Sequence, residues 1–263
     1  MIDRMRDVVV LALLVGCARP PVSSTSEPSR AVQTAITKAK LDAKRVRVFQ
    51  VASNQVLLGE AIEPALPESD AAPNYRVVAY DSAADVANEV LPRASWAAVV
   101  DKSTLLAVED GKLVLHRDNT TRVLFDHAAP DFALDATNRW IAAVVRKPEL
   151  PIDTDLVLLP LEGGPTRALA AFPGSSEGRP IFTPDNRAVV FVSGKSGLAS
   201  LWRVELASGT TTQLTNIGLR GGHGLPAGFV PPPTEMALAH WDGETLEYVA
   251  NGQTVRVDAR GSR

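Results

Sequence analysis

A serine motif and the histidines are the residues of this sequence whose spacing could support catalysis. Residues 174–178 read G-S-S-E-G and match the pattern G-x-S-x-G, and His223 and His240 follow downstream. In hydrolases with this pattern a strand ends at the serine and a helix begins after it, because N–H groups at the helix start stabilise the oxyanion. Here Pro173 precedes the motif, and the residues from Arg179 onward are typical of a strand. We therefore predict a turn at this position and assign no catalytic residue.

Metal-binding patterns are incomplete as well. The chain has one cysteine and four histidines: His116, His127, His223 and His240. No two histidines have the i, i+4 spacing of a helical zinc site, and none stands beside the cysteine. Asp153 and Asp155 lack the remaining ligands of a calcium loop. The sequence therefore predicts no metal and no cofactor.

The single cysteine, Cys17, ends an apolar N-terminal segment. The apolar run at 8–15 is too short to span a bilayer as a helix, and it predicts a signal segment. Residues 14–17, L-V-G-C, resemble the lipobox of bacterial lipoproteins, whose cysteine is acylated and becomes the first residue of the mature chain. The resemblance implies a lipoprotein signal peptide at 1–17 and lipid attachment at Cys17. The alternative is a buried strand that ends in a cysteine.

The segment after the cysteine differs in composition from the rest of the chain. Residues 18–30 contain three prolines and four serines without hydrophobic periodicity, which is typical of a flexible tether. Apolar residues at near-helical spacing then predict a short helix within 31–43. We therefore interpret 18–45 as a flexible linker that can hold a short helix, and 259–263 as a disordered tail.

Any site in the rest of the chain must be positioned by short strands, and 177–215 shows them most clearly. Turn signals separate four strands: T-P-D-N at 183–186, G-K-S-G at 194–197 and A-S-G at 207–209. The predicted strands lie at 180–182, 187–193, 200–206 and 210–215. The second is apolar on both faces, as expected between two neighbouring sheets, and the fourth is polar and β-branched, as expected at an exposed edge. The pattern predicts a four-stranded meander sheet.

Several residues of this stretch resemble the TolB-type β-propeller repeat. They are Pro180, Phe182, Pro184-Asp185-Asn186, Leu201-Trp202, Ser208-Gly209 and Gln213-Leu214-Thr215. Asn186 stands where the family usually has glycine, but asparagine tolerates the positive φ that such a turn needs. The resemblance covers roughly 40 residues and implies a propeller fold. Because TolB is a periplasmic component of the Tol-Pal system, the resemblance also favours an envelope location.

One blade cannot bury both of its faces, so further copies are expected along the chain. Units with the same strand pattern lie at 96–125, 131–169 and 229–257, and a weaker unit with a long loop at 64–73 lies at 46–90. Their spacing is about 40 to 50 residues, as in propeller blades. We therefore predict an all-β fold, a β-propeller of about five four-stranded blades over 46–258. A β-sandwich is the alternative, and the pattern leaves ring closure open.

Composition limits the partners. Hydrophobic residues make up 45% and charged residues 22% of the 263-residue chain, which is ordinary for a globular protein. The net charge is −3, and we find no basic patch suited to nucleic acid. Basic residues cluster only at 38–47, where they could contact anionic head groups near the anchor or form a solvated helix face.

Two features of the predicted propeller are candidates for binding. Asp131 and Asp135 could face the central channel and hold a cation, although aspartate at a propeller turn usually caps the backbone. The glycine-rich loop at 218–226, with Arg220 and His223, is either a binding loop or a spacer.

Two functions remain open. The first is a lipid-anchored, non-catalytic propeller that binds an envelope protein on one rim. Its expected place is the outer membrane facing the periplasm, because Ala18 is not the aspartate that tends to retain lipoproteins in the inner membrane of enteric bacteria. The second is an enzyme or small-ligand receptor that uses residues lining the channel. Convergent carboxylates and histidines there would favour the second function, and small apolar side chains the first.

Overall fold

The computed structural model describes residues 27–52, 54–62, 73–197, 200–215, 236–250 and 253–258, and every structural statement below concerns these residues. They form an α-helix, α1 (Glu27–Lys38), a short 3-10 helix (Ala43–Arg45) and strands that build five separate sheets. The predicted signal peptide with Cys17, the loop at 218–226 and the tail at 259–263 lie outside the described residues.

The sheets follow one another along the chain. Sheet 1 contains β1 (Val46–Ala52), β2 (Gln55–Ala61), β3 (Tyr75–Asp81) and β4 (Val86–Ala94). Sheet 2 contains β5 (Trp96–Val99), β6 (Thr104–Glu109), β7 (Lys112–Arg117) and β8 (Thr120–Phe125). Sheet 3 contains β9 (Ala128–Leu134), β10 (Trp140–Lys147), β11 (Leu150–Pro160) and β12 (Arg167–Ala170). Sheet 4 contains β13 (Glu177–Phe182), β14 (Ala188–Ser193), β15 (Ser200–Glu205) and β16 (Thr211–Gln213). Sheet 5 contains β17 (Met236–Asp242), β18 (Thr245–Ala250) and β19 (Gln253–Asp258).

Each sheet is an antiparallel meander in which sequence neighbours pair in order. The first four sheets have four strands, and the fifth shows three among the described residues. The strand predicted near Phe229 for the fifth unit lies outside the described residues. The predicted all-β fold with about five blade-like repeats is thus confirmed.

Short hairpins set the repeat because their turn residues accept positive φ. Asp110 and Gly111 join β6 to β7 with φ of 48° and 75°, and Asp118 and Asn119 join β7 to β8 with φ of 48° and 64°. Two consecutive positive φ values suit the right-handed twist of the flanking strands. Asn186 has φ of 56° in the turn between β13 and β14, which explains how asparagine replaces the usual glycine.

The core lies between the faces of successive sheets. The rings of Phe49, Trp96 and Phe132, from sheets 1, 2 and 3, contact one another in a row, tilted at a centroid distance of 5.3 Å and edge-to-face at 6.3 Å. In sheet 4 every residue of β14 is buried, as predicted for a strand covered on both sides. The side chains of Phe191 and Trp202 pack there with residues of sheet 3. The sheets therefore stack face to face, as propeller blades do.

The helix predicted near the start of the folded part packs on sheet 1. Val32, Ala35 and Ile36 are buried against sheet 1. The helix spans 27–38 rather than 31–43, because Lys40 adopts φ of 54° and ends it. The N–H groups of Lys40 and Leu41 donate to the carbonyls of Thr37 and Ile36, which is the Schellman arrangement. Among the described residues, no helix has the length and apolar character needed to cross a membrane.

Candidate functional site

The first strands of neighbouring sheets contact one another, β1 with β5, β9 with β13, and β13 with β17. Side chains near the start of these strands therefore converge from different sheets. We call the group formed by Arg47, Trp96, Asp131 and Arg179 the central cluster, since sheets 1 to 4 each contribute one member. It contains Asp131, one of the two aspartates that the sequence offered as candidates for a channel lining.

Arg47 is held by aromatic rings. Its guanidinium carbon lies 4.6 Å from the centroid of Trp96 and 6.0 Å from that of Tyr75. A cation over an aromatic face is attracted by the electron density of the ring. Burial lowers the pKa of Arg47, and the positive charge of Arg179 acts in the same direction. Tyr75 and the carboxylate of Asp131 oppose this shift. The charges of the cluster are thus close enough to influence one another.

Arg179 and Asp131 form the second half of the cluster. The Arg179 Nη1 lies 3.5 Å from the Asp131 Oδ1, and both side chains are mostly buried. The Nε atoms of Arg179 and Arg47 are buried and have no hydrogen-bond partner. Arg179 therefore pairs with the carboxylate of the cluster, and the charge of Arg47 lies near enough to influence both.

The second aspartate predicted as a channel candidate, Asp135, lies in a turn. Its Oδ1 accepts hydrogen bonds from the N–H groups of Arg139 at 2.6 Å and Trp140 at 2.8 Å, and its Oδ2 from that of Thr137 at 3.2 Å. The side chain is buried. Asp135 thus caps the β9–β10 turn, the alternative that the sequence left open, and Asp131 alone of the pair reaches the cluster.

The G-S-S-E-G segment runs into a strand, β13, whose first two residues are Glu177 and Gly178, and not into a helix. Its conspicuous residue is Glu177, which is 1% exposed. The Glu177 carboxylate accepts from the hydroxyls of Ser175 at 2.5 Å and Ser193 at 2.9 Å and from the Phe172 N–H at 3.4 Å. Burial raises the pKa of Glu177 to about 7, and the serine hydroxyls oppose this shift. The segment therefore belongs to the turn between sheets 3 and 4 and leads into a strand, as predicted. The sequence did not indicate that Glu177 would be buried.

The remaining predicted candidates do not converge. His116 Nε2 lies 2.6 Å from Glu109 Oε1 in sheet 2. Asp153 and Asp155 both pair with the Lys147 Nζ, at 2.8 and 3.1 Å. The loop at 218–226 and the His240 side chain lie outside what the structure describes. Within the described ranges, no group of three histidine, cysteine or acidic side chains is placed to hold a metal ion.

The basic segment at 38–47 does not form one patch. The Lys38 Nζ pairs with Asp85 Oδ2 at 2.5 Å. Arg45 donates to the carbonyls of Ala61 and Ile62, while Arg47 points into the central cluster. These cations are therefore divided among separate partners.

A cleft of about 600 Å³ lies beside the cluster, between sheets 1, 2 and 3. Its lining includes Asp110, Lys112, Asp126, His127, Pro130 and Arg146. Lys112 and Asp126 lie 3.9 Å apart across it, so charges of both signs face the cleft. Pro130 connects it in sequence to Asp131 of the central cluster.

Comparison with known proteins shows the fold. No protein-family model and no curated protein matches this chain. A TolB structure from Acinetobacter baumannii has a TM-score of 0.52 and 15% identity, with 93% of this chain and 59% of that chain covered. A nidogen/laminin complex has a TM-score of 0.54 and 12% identity, with 83% of this chain and 78% of that chain covered. An oligogalacturonate lyase from Vibrio parahaemolyticus has a TM-score of 0.50 and 11% identity, with 79% of this chain and 60% of that chain covered.

This chain spans 57% and 59% of the lengths of two TolB structures, those from Agrobacterium tumefaciens and A. baumannii. At such identities the likeness concerns the fold. It is that of a β-propeller with TolB-type four-stranded repeats, and the matched structures include both a nidogen/laminin complex and an oligogalacturonate lyase.

Proposed function

We propose that this propeller chain is a lipid-anchored protein of the bacterial cell envelope that binds a protein partner and catalyses no reaction. The lipobox at Cys17 supports the anchor, and the likeness to TolB supports an envelope location. Ala18 favours the outer membrane, with the propeller facing the periplasm.

The observation that carries the binding role is a continuous rim of turns. The Asn138 Nδ2 of sheet 3 donates to the carbonyl of Val100 of sheet 2 at 2.8 Å. The Ala136 N–H of sheet 3 donates to the Asn186 Oδ1 of sheet 4 at 3.2 Å. These bonds join the turns of three sheets into one surface, which we call the rim. Loops held on a rigid scaffold are well suited to recognition, because little flexibility is lost on binding.

Trp140 is the anchor that this rim offers. It follows the β9–β10 turn and is 41% exposed, although tryptophan usually buries its large ring. Tryptophan is enriched among residues that dominate binding energy at protein interfaces. Arg139 and Arg187 lie in adjoining turns and would surround the ring with polar groups, as in the border of an interface.

The lipid anchor is tested by mass spectrometry of the mature N-terminus and by fractionation of cells that express Cys17→Ala. We expect an acylated peptide that starts at Cys17 in the wild type and a soluble, unacylated Cys17→Ala variant. Ser24→Ala, in the predicted tether, is the control and should remain in the membrane fraction. Retention of Met1 together with cytosolic protein would contradict the proposal.

The rim is tested by introducing a photo-crosslinking amino acid at Trp140 or Arg187 of the full-length chain in cells. We expect both positions to crosslink to one discrete protein. With the crosslinker at Arg187, the additional substitution Trp140→Ala should lower the yield of this product. The control position is Thr121, on the outer edge strand of sheet 2. Equal crosslinking at Thr121 and on the rim would remove the case for a rim partner.

A second candidate function is a small-ligand receptor or enzyme that works through the centre of the propeller. The specific observation in its favour is the central cluster, which is neither a set of convergent carboxylates and histidines nor a small apolar lining. Charged side chains from three sheets meet there: Arg47, Asp131 and Arg179. Polar groups that converge from several elements are typical of ligand sites.

A further inference from the structure

The central cluster carries more positive than negative charge. Arg179 and Asp131 approach at 3.5 Å, which is the outer limit of a hydrogen bond, and this carboxylate is the anion that the cluster contains. Among the described residues, Arg47 forms no ion pair and instead faces the rings of Trp96 and Tyr75. Positive charge in a partly buried place is costly unless an anion accompanies it.

The backbone is distorted where the charged side chains emerge. Arg179 has φ of 54°, in the left-handed region that costs roughly 1 kcal/mol or more for residues other than glycine. The β13–β14 register shifts between Gly178 and Ile181, so Arg179 lies in a β-bulge. The β9–β10 register shifts in the same way across 128–132, where Asp131 lies. Bulges of this kind redirect side chains and are common beside binding sites.

The arginines are also arranged to recognise a planar anion. Stacking on Trp96 restricts the rotation of the Arg47 guanidinium before any ligand arrives, which reduces the entropy lost on binding. A guanidinium offers parallel N–H donors that match the two oxygens of a carboxylate. Arg47, Asp131 and Arg179 each retain partial exposure, so a ligand can reach them.

We propose that the central cluster binds a carboxylate group between Arg47 and Arg179. A monoanion balances the single uncompensated positive charge, whereas a phosphate dianion would add a second negative charge beside Asp131. Asp131 positions Arg179 and competes with the ligand for it. The carboxylate belongs either to a small organic acid or to the C-terminus of a polypeptide, since both present the same group.

This inference gives a ligand class to the receptor function and does not depend on the lipid anchor or the rim. It is tested by isothermal titration calorimetry on the full-length chain in detergent. The probes are propionate and N-acetyl-trialanine, with propionamide and N-acetyl-trialanine amide as neutral counterparts of the same shape. Tryptophan fluorescence gives a second readout, because Trp96 contacts Arg47.

We expect at least one acid to bind and its amide to bind at least about tenfold more weakly, as loss of a charge-assisted contact predicts. Binding of propionate identifies a small acid as the source, and binding of the peptide acid alone identifies a C-terminus. Arg47→Gln and Arg179→Gln should each weaken binding about tenfold or more. Asp131→Asn should tighten it, about threefold, because the competing carboxylate is gone; a role in folding alone would not produce this gain.

Two controls keep the test decisive. Arg30→Gln removes an exposed arginine of α1, outside both the cluster and the rim, and it should leave the affinity unchanged. If Arg47→Gln does not fold, Arg47→Lys keeps the charge but loses the planar fork and should bind more weakly than the wild type. Equal binding of acids and amides, absence of binding to both acids, or unchanged affinity in both arginine variants would overturn the proposal.

Discussion

At the scale of single residues, Glu177 makes stability depend on pH. Its folded pKa of about 7 exceeds the ordinary value of 4.5, so the folded chain holds a proton that the unfolded chain releases. The stabilisation is complete below the unfolded pKa and is lost as pH rises through the folded pKa. A shift of this size corresponds to about 3 kcal/mol.

We therefore expect the free energy of unfolding of the wild type to fall by about 3 kcal/mol between about pH 5 and about pH 8. Glu177→Gln should lack this fall. Urea denaturation at several pH values in this range gives the free energy of unfolding of the variant and of the wild type, and their difference measures the effect. The exposed residue Glu149 provides the control Glu149→Gln, which should preserve the wild-type pH profile. Identical profiles for Glu177→Gln and the wild type would show that Glu177 is already ionised near pH 5.

Arg179 supplies a second test at this scale, because its backbone is strained. Glycine adopts φ of 54° without a Cβ clash, whereas alanine does not. We expect Arg179→Gly to be more stable than Arg179→Ala by about 1 kcal/mol, the reverse of the usual order in a strand. Urea denaturation of both variants gives the difference.

The corresponding pair at Arg76, where β3 pairs with β2 in regular register, serves as the reference. There Arg76→Ala should be the more stable variant, because no positive φ favours glycine. The same order at both positions would mean that Arg179 is not strained.

At the scale of elements, the turns explain why the strands could be predicted. The bounds of sheet 2, Trp96 to Phe125, agree with the predicted unit at 96–125, because Asp110-Gly111 and Asp118-Asn119 fix its hairpins locally. The first unit was predicted to end at residue 90, but its last strand, β4, extends to Ala94 through Pro92, which an outer edge strand tolerates. Local rules do not show where an edge strand stops.

The central cluster was only partly predictable for a related reason. Asp131 was a candidate because it could face a central channel, but Arg47 stood out only as one of several basic residues, and Arg179 was not a candidate. Which strand starts converge depends on the packing of separate sheets. The side-chain directions depend on bulges that the alternation of residues does not encode.

Asp135 provides the prediction for a turn. Its carboxylate accepts from three backbone N–H groups in the β9–β10 turn, and replacement by alanine leaves them without this partner. We expect Asp135→Ala to lower the free energy of unfolding by about 3 kcal/mol. Asp185, at the equivalent turn of sheet 4, is more exposed and accepts from one backbone N–H, that of Arg187.

Asp185→Ala should therefore lower the free energy of unfolding by only about 1 kcal/mol. Urea denaturation of both alanine variants measures the two losses. Equal losses would contradict this prediction, because they would mean that water hydrogen-bonds the N–H groups freed at Asp135 as easily as the one freed at Asp185.

At the scale of the whole molecule, polar groups as well as apolar faces join the separate sheets. The Asn138 amide links sheets 2 and 3, and the Trp241 Nε1 links sheet 5 to the Phe182 carbonyl of sheet 4 at 2.9 Å. Sheets 1 and 2 are joined by Gln50, which is 7% exposed. Its amide accepts from the Val99 N–H at 2.6 Å and donates to the Val99 carbonyl at 3.3 Å.

Gln50 thus extends the edge of β5 as a strand would, and Gln50→Leu should uncouple sheet 1 from sheet 2. The variant leaves two partly buried backbone groups of Val99 without this partner, which costs about 2 kcal/mol. Because α1 packs on sheet 1, amide hydrogen exchange should accelerate in both sheet 1 and α1 before sheet 3 is affected. Gln33→Leu, on the exposed face of α1, is the matched control and should change neither stability nor exchange. Uniform acceleration across sheets 1 to 4 in Gln50→Leu would instead mean that the propeller unfolds as a single cooperative unit.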